Sequence, residues 1–65
     1  MRIVLNGEER DVEAANLADA LQALDYGDAI VATALNGEFI PHDQREATPL
    51  KEGDAIEVLA PMQGG

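Results

Sequence analysis

RIVLNGEERDVE, residues 2–13, is the stretch from which the fold is read. Ile3 and Leu5 stand on one side of an extended segment from Arg2 to Asn6 and Val4 on the other, the period-2 pattern of a half-buried strand. Asn6-Gly7 follows at once. A tight type I′ hairpin turn needs positive φ at both central positions, and Asn-Gly tolerates that best. Glu8 to Glu13 then returns as a polar second strand with Val12 inward. The same dipeptide recurs as Asn36-Gly37, between a third strand at Ile30 to Leu35 and a short return at Glu38 to Ile40. Pro41 closes that second hairpin, since proline offers no ladder donor. Ala32 and Ala34 fit either face of the third strand, so its inward side stays open.

Between the hairpins, Asn16 is placed to cap a helix, with Asp19 near the positive end of its dipole. Leu17, Ala20, Leu21 and Leu24 give the i, i+3, i+4, i+7 spacing of one apolar face, and Gly27 is the expected stop. His42 to Pro49 reads as a polar connection and Leu50 as a core plug. Glu52-Gly53-Asp54 turns the chain into Ala55 to Leu59, the last strand, with Ile56 and Val58 inward. This order predicts an α+β fold: a mixed sheet of about five strands, the first and fifth central, with one main helix on one face. Residues 1–59 form the domain and 60–65 a flexible tail.

Composition narrows the chemistry. Sixty-five residues make a single small domain, and 46% hydrophobic content, with Tyr26 and Phe39 the only aromatics, makes it a folded one. Thirteen acids against four bases give a formal charge of −9, and seven acids lie between Asp11 and Asp43 with no Lys or Arg among them. That field repels a phosphate backbone, so nucleic acid is an unsuitable partner. It either steers in a basic protein surface or serves only solubility. No apolar run approaches the roughly 20 residues of a membrane span, and MRIVLNGEERD lacks the apolar core of a signal peptide. The expectation is a cytoplasmic protein, monomeric when free.

Conventional catalytic material is missing. There is no cysteine, no serine and one histidine, His42, in a proline-flanked polar loop. A zinc site lacks ligands, and no metal or cofactor is expected to bind. Glu8, Glu9, Asp11 and Glu13 cluster on a surface hairpin and read as a solvated face. What remains is the tail. Ala60 to Gly65 carries no charge in a chain that is 26% charged, and Pro61 fixes φ just beyond the last strand. Gly64 and Gly65 lack side chains, so they can thread a narrow channel and leave the α-carboxylate open to close approach. Two terminal glycines arise by chance in only about 0.5% of chains at ordinary glycine usage. The alternatives are a slack end and a carboxylate offered to another protein's active site.

The opening RIVLNGEE, the helix LADALQAL, the hairpin ALNGEFIPH, the segment TPLKEGDAIEVLAP and the terminal GG together resemble the sulfur carriers of the ThiS/MoaD family, whose β-grasp fold is ubiquitin-like. The likeness covers the whole chain and is strongest to the ThiS carriers of thiamine biosynthesis. The diglycine is its most specific element. The resemblance implies that a ThiF-type, E1-like adenylyltransferase uses ATP to convert the Gly65 carboxylate to an acyl-adenylate. A sulfur donor such as a cysteine desulfurase system then yields a thiocarboxylate, and a ThiG-type thiazole synthase takes the sulfur. The chain is thereby implied to be a protein co-substrate and not an enzyme. Gly65 would be the modified residue and Gly64 the clearance residue. Gln63, Met62 and Pro61 would contact the partner's channel, while Leu59 and Val4 on the exposed sheet face form a candidate docking surface.

Four other readings stay open at this level, one of them a thiocarboxylate carrier that feeds cysteine synthesis. A molybdopterin-synthase small subunit shares the diglycine and the adenylation step but serves a pterin. Ligation to lysines, as in ubiquitin, differs only in the fate of the acyl group. A β-grasp interaction module would bind a basic partner without activation.

Overall fold

A computed structural model describes residues 1–27 and 29–60. Five strands build the sheet: β1 (Arg2–Leu5), β2 (Glu8–Asp11), β3 (Ala32–Leu35), β4 (Glu38–Ile40) and β5 (Ala55–Leu59). One helix, α1 (Leu17–Ala23), crosses a single face, and a 3₁₀ turn covers His42–Gln44. The strand order is β2-β1-β5-β3-β4, with β1 parallel to β5 and the other pairs antiparallel. The first and fifth strands are interior as expected, with β5 at the centre.

Both hairpins form where Asn-Gly predicts them. Asn6 and Gly7 have φ of 49° and 86°, and Asn36 and Gly37 have φ of 52° and 86°. The turn asparagines also reach beyond their own hairpins. Asn6 donates its backbone N–H to the Ile56 carbonyl (2.9 Å). Its side chain accepts from the Val58 N–H (2.9 Å) and donates to the Val58 carbonyl (3.2 Å). Asn36 donates its N–H to the Ala55 carbonyl (2.7 Å). Its Oδ1 accepts from the Ala55 N–H (2.9 Å), and its Nδ2 donates to Asp54 Oδ1 (3.1 Å). Each asparagine therefore prolongs a ladder along β5 past the last residue of a neighbouring strand.

The core lies between the sheet and α1. Ile3, Leu5, Leu17, Ala20, Leu21, Leu50, Ile56 and Val58 are buried in it, which bears out the inward sides assigned to β1 and β5 and the role of Leu50 as a plug. Val12 is buried as expected, although β2 ends one residue earlier. The third strand is shorter than its pattern. It begins at Ala32 because Ala32 already pairs with Leu59, the last residue of β5, so Ile30 has no strand to join. Its inward residue is Thr33, which is 1% exposed.

A helix of seven residues is too short to be stable alone, so its open ends must be satisfied from outside. At the N-terminus the accounting is complete. Leu17 N–H donates to the Thr48 carbonyl, Ala18 N–H to the Arg45 carbonyl, and Asp19 N–H to Asn16 Oδ1 (2.8 Å), as the N-cap reading requires. The C-terminus differs from expectation. Asp25 takes the left-handed conformation at φ 70°, Tyr26 N–H donates to the Leu21 carbonyl, and Asp25 N–H donates to that of Gln22. This is a Schellman closure with aspartate where glycine is usual. Gly27 lies two residues too late to serve and rests against the Gln22 side chain.

Two stability changes follow from these positions. Asn6→Ala loses two side-chain hydrogen bonds at about 1 kcal/mol each and leaves a non-glycine residue left-handed, so urea unfolding should show a loss of about 2–3 kcal/mol. An unchanged midpoint would mean that the turn asparagine does not hold β5. Asp25→Gly should instead stabilise by about 0.5–1 kcal/mol, because glycine bears no Cβ penalty there. A lower midpoint would contradict the assigned helix end.

Candidate functional site

The sheet face opposite α1 is set by strand parity. Val4, Ala55, Glu57 and Leu59 share it with Ala32 and Ala34, and Phe39 lies beside Ala34 in register. Its polar and apolar parts are separated along β5. Val4 pairs with Ala55 at the start of the strand, next to Glu9, which is ion-paired with Arg2 at 2.9 Å. Leu59 stands four residues further on, about 13 Å away at strand rise.

Around Leu59 the surface turns apolar. Ile30, Leu59 and Phe39 are the exposed large hydrophobic residues of the described chain, at 81%, 68% and 64%. Ile30, Val31, Ala32, Leu59 and Ala60 line a shallow groove of about 310 Å³. Exposed apolar residues gathered in this way mark interaction surfaces, whereas isolated ones are ordinary. The groove sits where the chain leaves β5, since Ala60 is both its wall and the residue that leads into the tail.

The structure thus brings Leu59 into a coherent surface but keeps Val4 apart from it, half-buried at the far end of the same face. Pro61, Met62, Gln63, Gly64 and Gly65 lie outside the described residues. Sequence reasoning missed Ile30 and Ala32. No local signal identifies them: strand parity puts Ala32 outward only once Thr33 is known to point inward, and that is fixed by its contact with Arg45.

A second cleft, of about 500 Å³, lies between α1 and the 3₁₀ turn, with Asp19, Gln22, Tyr26, His42, Asp43 and Glu46 on its walls. His42 is exposed there, as the loop reading predicts. No group of three or more His, Cys, Asp or Glu side chains among the described residues could hold a metal. Nor is any helix among them long and apolar enough to cross a membrane.

Comparison with known proteins gives this geometry its context. The family model of the ThiS family matches residues 3–65. The sulfur carrier protein ThiS of Thermus thermophilus is 39% identical over 61 residues, covering 94% of this chain and 95% of that protein. A thiazole synthase of Paramagnetospirillum magneticum is 33% identical over 66 residues, taking in all of this chain but only 20% of the synthase. The crystal structure of the thiamine biosynthesis protein ThiS from Geobacter metallireducens superposes over the whole of both chains, with a TM-score of 0.83 and 38% identity. A solution NMR structure of a thiamine biosynthesis protein from the same organism gives 0.78 and 36%, over all of this chain and 88% of that one. With its five-stranded mixed sheet and single helix, the chain is a β-grasp protein and belongs to the ThiS family.

Proposed function

We propose that the chain carries sulfur as a thiocarboxylate on Gly65 for the thiazole step of thiamine biosynthesis. It is a co-substrate on which other enzymes act, working in the cytoplasm and binding no cofactor of its own. The observation that carries this reading is the family match, which extends over residues 3–65 and so takes in the last residue, Gly65.

The chemistry follows from the nature of the carboxylate. A carboxylate anion resists nucleophiles, so it must first be given a leaving group. A ThiF-type adenylyltransferase does this with ATP: the Gly65 carboxylate attacks the α-phosphorus, pyrophosphate departs, and a mixed anhydride with AMP forms. A persulfide sulfur from a cysteine desulfurase system then attacks the carbonyl and expels AMP. A second partner thiol cleaves the resulting acyl disulfide, leaving the thiocarboxylate on Gly65 and a disulfide between the two thiols. The chain has no cysteine, so no thiol of its own competes for the activated carbonyl. Gly64, Gln63, Met62 and Pro61 occupy the partner's channel, and the absence of charge there keeps desolvation cheap.

Docking uses the apolar groove at the root of the tail, centred on Leu59 with Ile30 and Ala32, while Val4 is a separate contact at the far end of the same face. The acidic surround favours basic groups at the partner's rim. The similarity to part of a thiazole synthase favours a ThiG-type acceptor over a pterin.

The requirement for a free α-carboxylate gives the test. Adding one alanine after Gly65 should leave the urea midpoint unchanged and reduce ATP–pyrophosphate exchange by a ThiF-type enzyme to background. Undiminished exchange would contradict the assignment of Gly65.

A further inference from the structure

Arg45 is the one base between Arg10 and Lys51, and it lies in the connection that reads as merely polar. It is 8% exposed. Burying a charged group without compensation costs several kcal/mol, so its partners must explain its place. No carboxylate among the described residues pairs with it; the ion pairs there involve Met1, Arg2 and Arg10. Arg45 Nε donates to Thr33 Oγ1 (3.1 Å), and Nη2 donates to the Val31 carbonyl (2.7 Å). Thr33 Oγ1 passes the chain on by donating to the Ile40 carbonyl (3.0 Å). Both of these Arg45 bonds thus go to β3 and its approach, and Thr33 carries the chain on to β4.

The target of the shortest bond gives the arrangement its meaning. Val31 lines the groove at the root of the tail, its neighbours Ile30 and Ala32 line it too, and Ala32 pairs with Leu59 across from them. Val31 precedes β3, so its carbonyl is held by the guanidinium and not by a strand. The backbone of Arg45 has separate work. Its carbonyl accepts from the Ala18 and Thr48 N–H groups, so the connection stays tied to α1 whatever the side chain does.

We infer that Arg45 is a positioning residue for the docking groove: through Val31 and Thr33 its buried guanidinium fixes the Ile30–Ala32 wall against Leu59 and Ala60, and so governs how well the tail is presented to the activating enzyme. This rests on the reading of the groove as the docking surface. Loss of the guanidinium loosens one wall of the groove without touching Gly65, so binding weakens while the chemical step is spared.

The full chain carrying Arg45→Met, Arg45→Lys or Leu59→Ser is titrated against a ThiF-type adenylyltransferase in pyrophosphate exchange. Concentrations are corrected for the folded fraction measured in urea. Arg45→Met should raise KM for the carrier about tenfold with kcat within about twofold, the scale on which a misplaced contact acts on binding. Lysine keeps the charge but reaches fewer acceptors, and should recover part of that loss. A KM unchanged in Arg45→Met while Leu59→Ser raises it overturns the role of Arg45 and leaves the docking surface standing. A KM unchanged in both overturns the docking surface itself. If Arg45→Met does not fold, Arg45→Lys decides: a raised KM supports the inference and a wild-type KM overturns it.

Discussion

Everything in this small sheet depends on satisfying β5 from both sides. As the central strand it must find partners along both edges of its backbone, yet its contacts with β1 are few: Val4 with Ala55 and Leu5 with Ile56. The parallel pair ends just as β1 turns away into its hairpin. Asn6 solves this by standing in for the missing strand, exchanging two hydrogen bonds with the Val58 backbone. Asn36 does the same near Ala55 on the other edge, while also holding the buried Asp54. Buried backbone groups left unpaired would cost about as much as a lost hydrogen bond each. The hairpin asparagines are therefore sheet residues as much as turn residues. The same central strand carries the chain out to Ala60, so whatever steadies β5 also steadies the start of the tail.

The connection between the second hairpin and β5 is ordered by polar groups, since it brings only Leu50 to the core. Its backbone carbonyls at Arg45 and Thr48 take two of the open N–H groups of α1, and Pro49 forms a bridge with Asn16. One arginine then links it to the inward side of β3, through Thr33, and to the Val31 carbonyl just before that strand. Without cysteines, and with nine buried hydrophobic side chains among the described residues, the molecule cannot rely on staples or bulk packing. A network satisfied at every buried side-chain atom among the described residues does that work.

The legible parts of the sequence were those governed by local rules. Asn6-Gly7 and Asn36-Gly37 announce their turns through a backbone demand that few residues meet, and Asn16 announces its cap in the same way. The alternation in Ile3, Leu5, Ile56 and Val58 gave the inward faces, because a period of two admits one answer when a face is buried. The parts that stayed hidden depend on distant partners. Nothing near Arg45 says that its side chain will be buried against Thr33, and without that contact the sidedness of Ala32 and Ala34 is undetermined. Asp25 ends the helix where Gly27 would be the local choice, because the 6→1 closure falls on Leu21 and Tyr26. The groove was only half legible: Leu59 is outward by parity, whereas the exposure of Ile30 follows from where β5 happens to stop.

Fold and tail divide the labour of a carrier. In the proposed cycle the domain supplies the docking surface and the strand end, and the reacting carboxylate is that of Gly65, with no side chain on either of the last two residues. Acid–base machinery is absent from the sequence, as suits a chain whose chemistry is performed on it by others. The most direct test is intact-mass spectrometry of the full chain incubated with a ThiF-type adenylyltransferase, ATP and a sulfur source. A mass increase equal to the exchange of one oxygen for sulfur, mapped to Gly65, is the predicted result. An unchanged mass, with the same enzymes loading the Thermus thermophilus carrier in parallel, would contradict it.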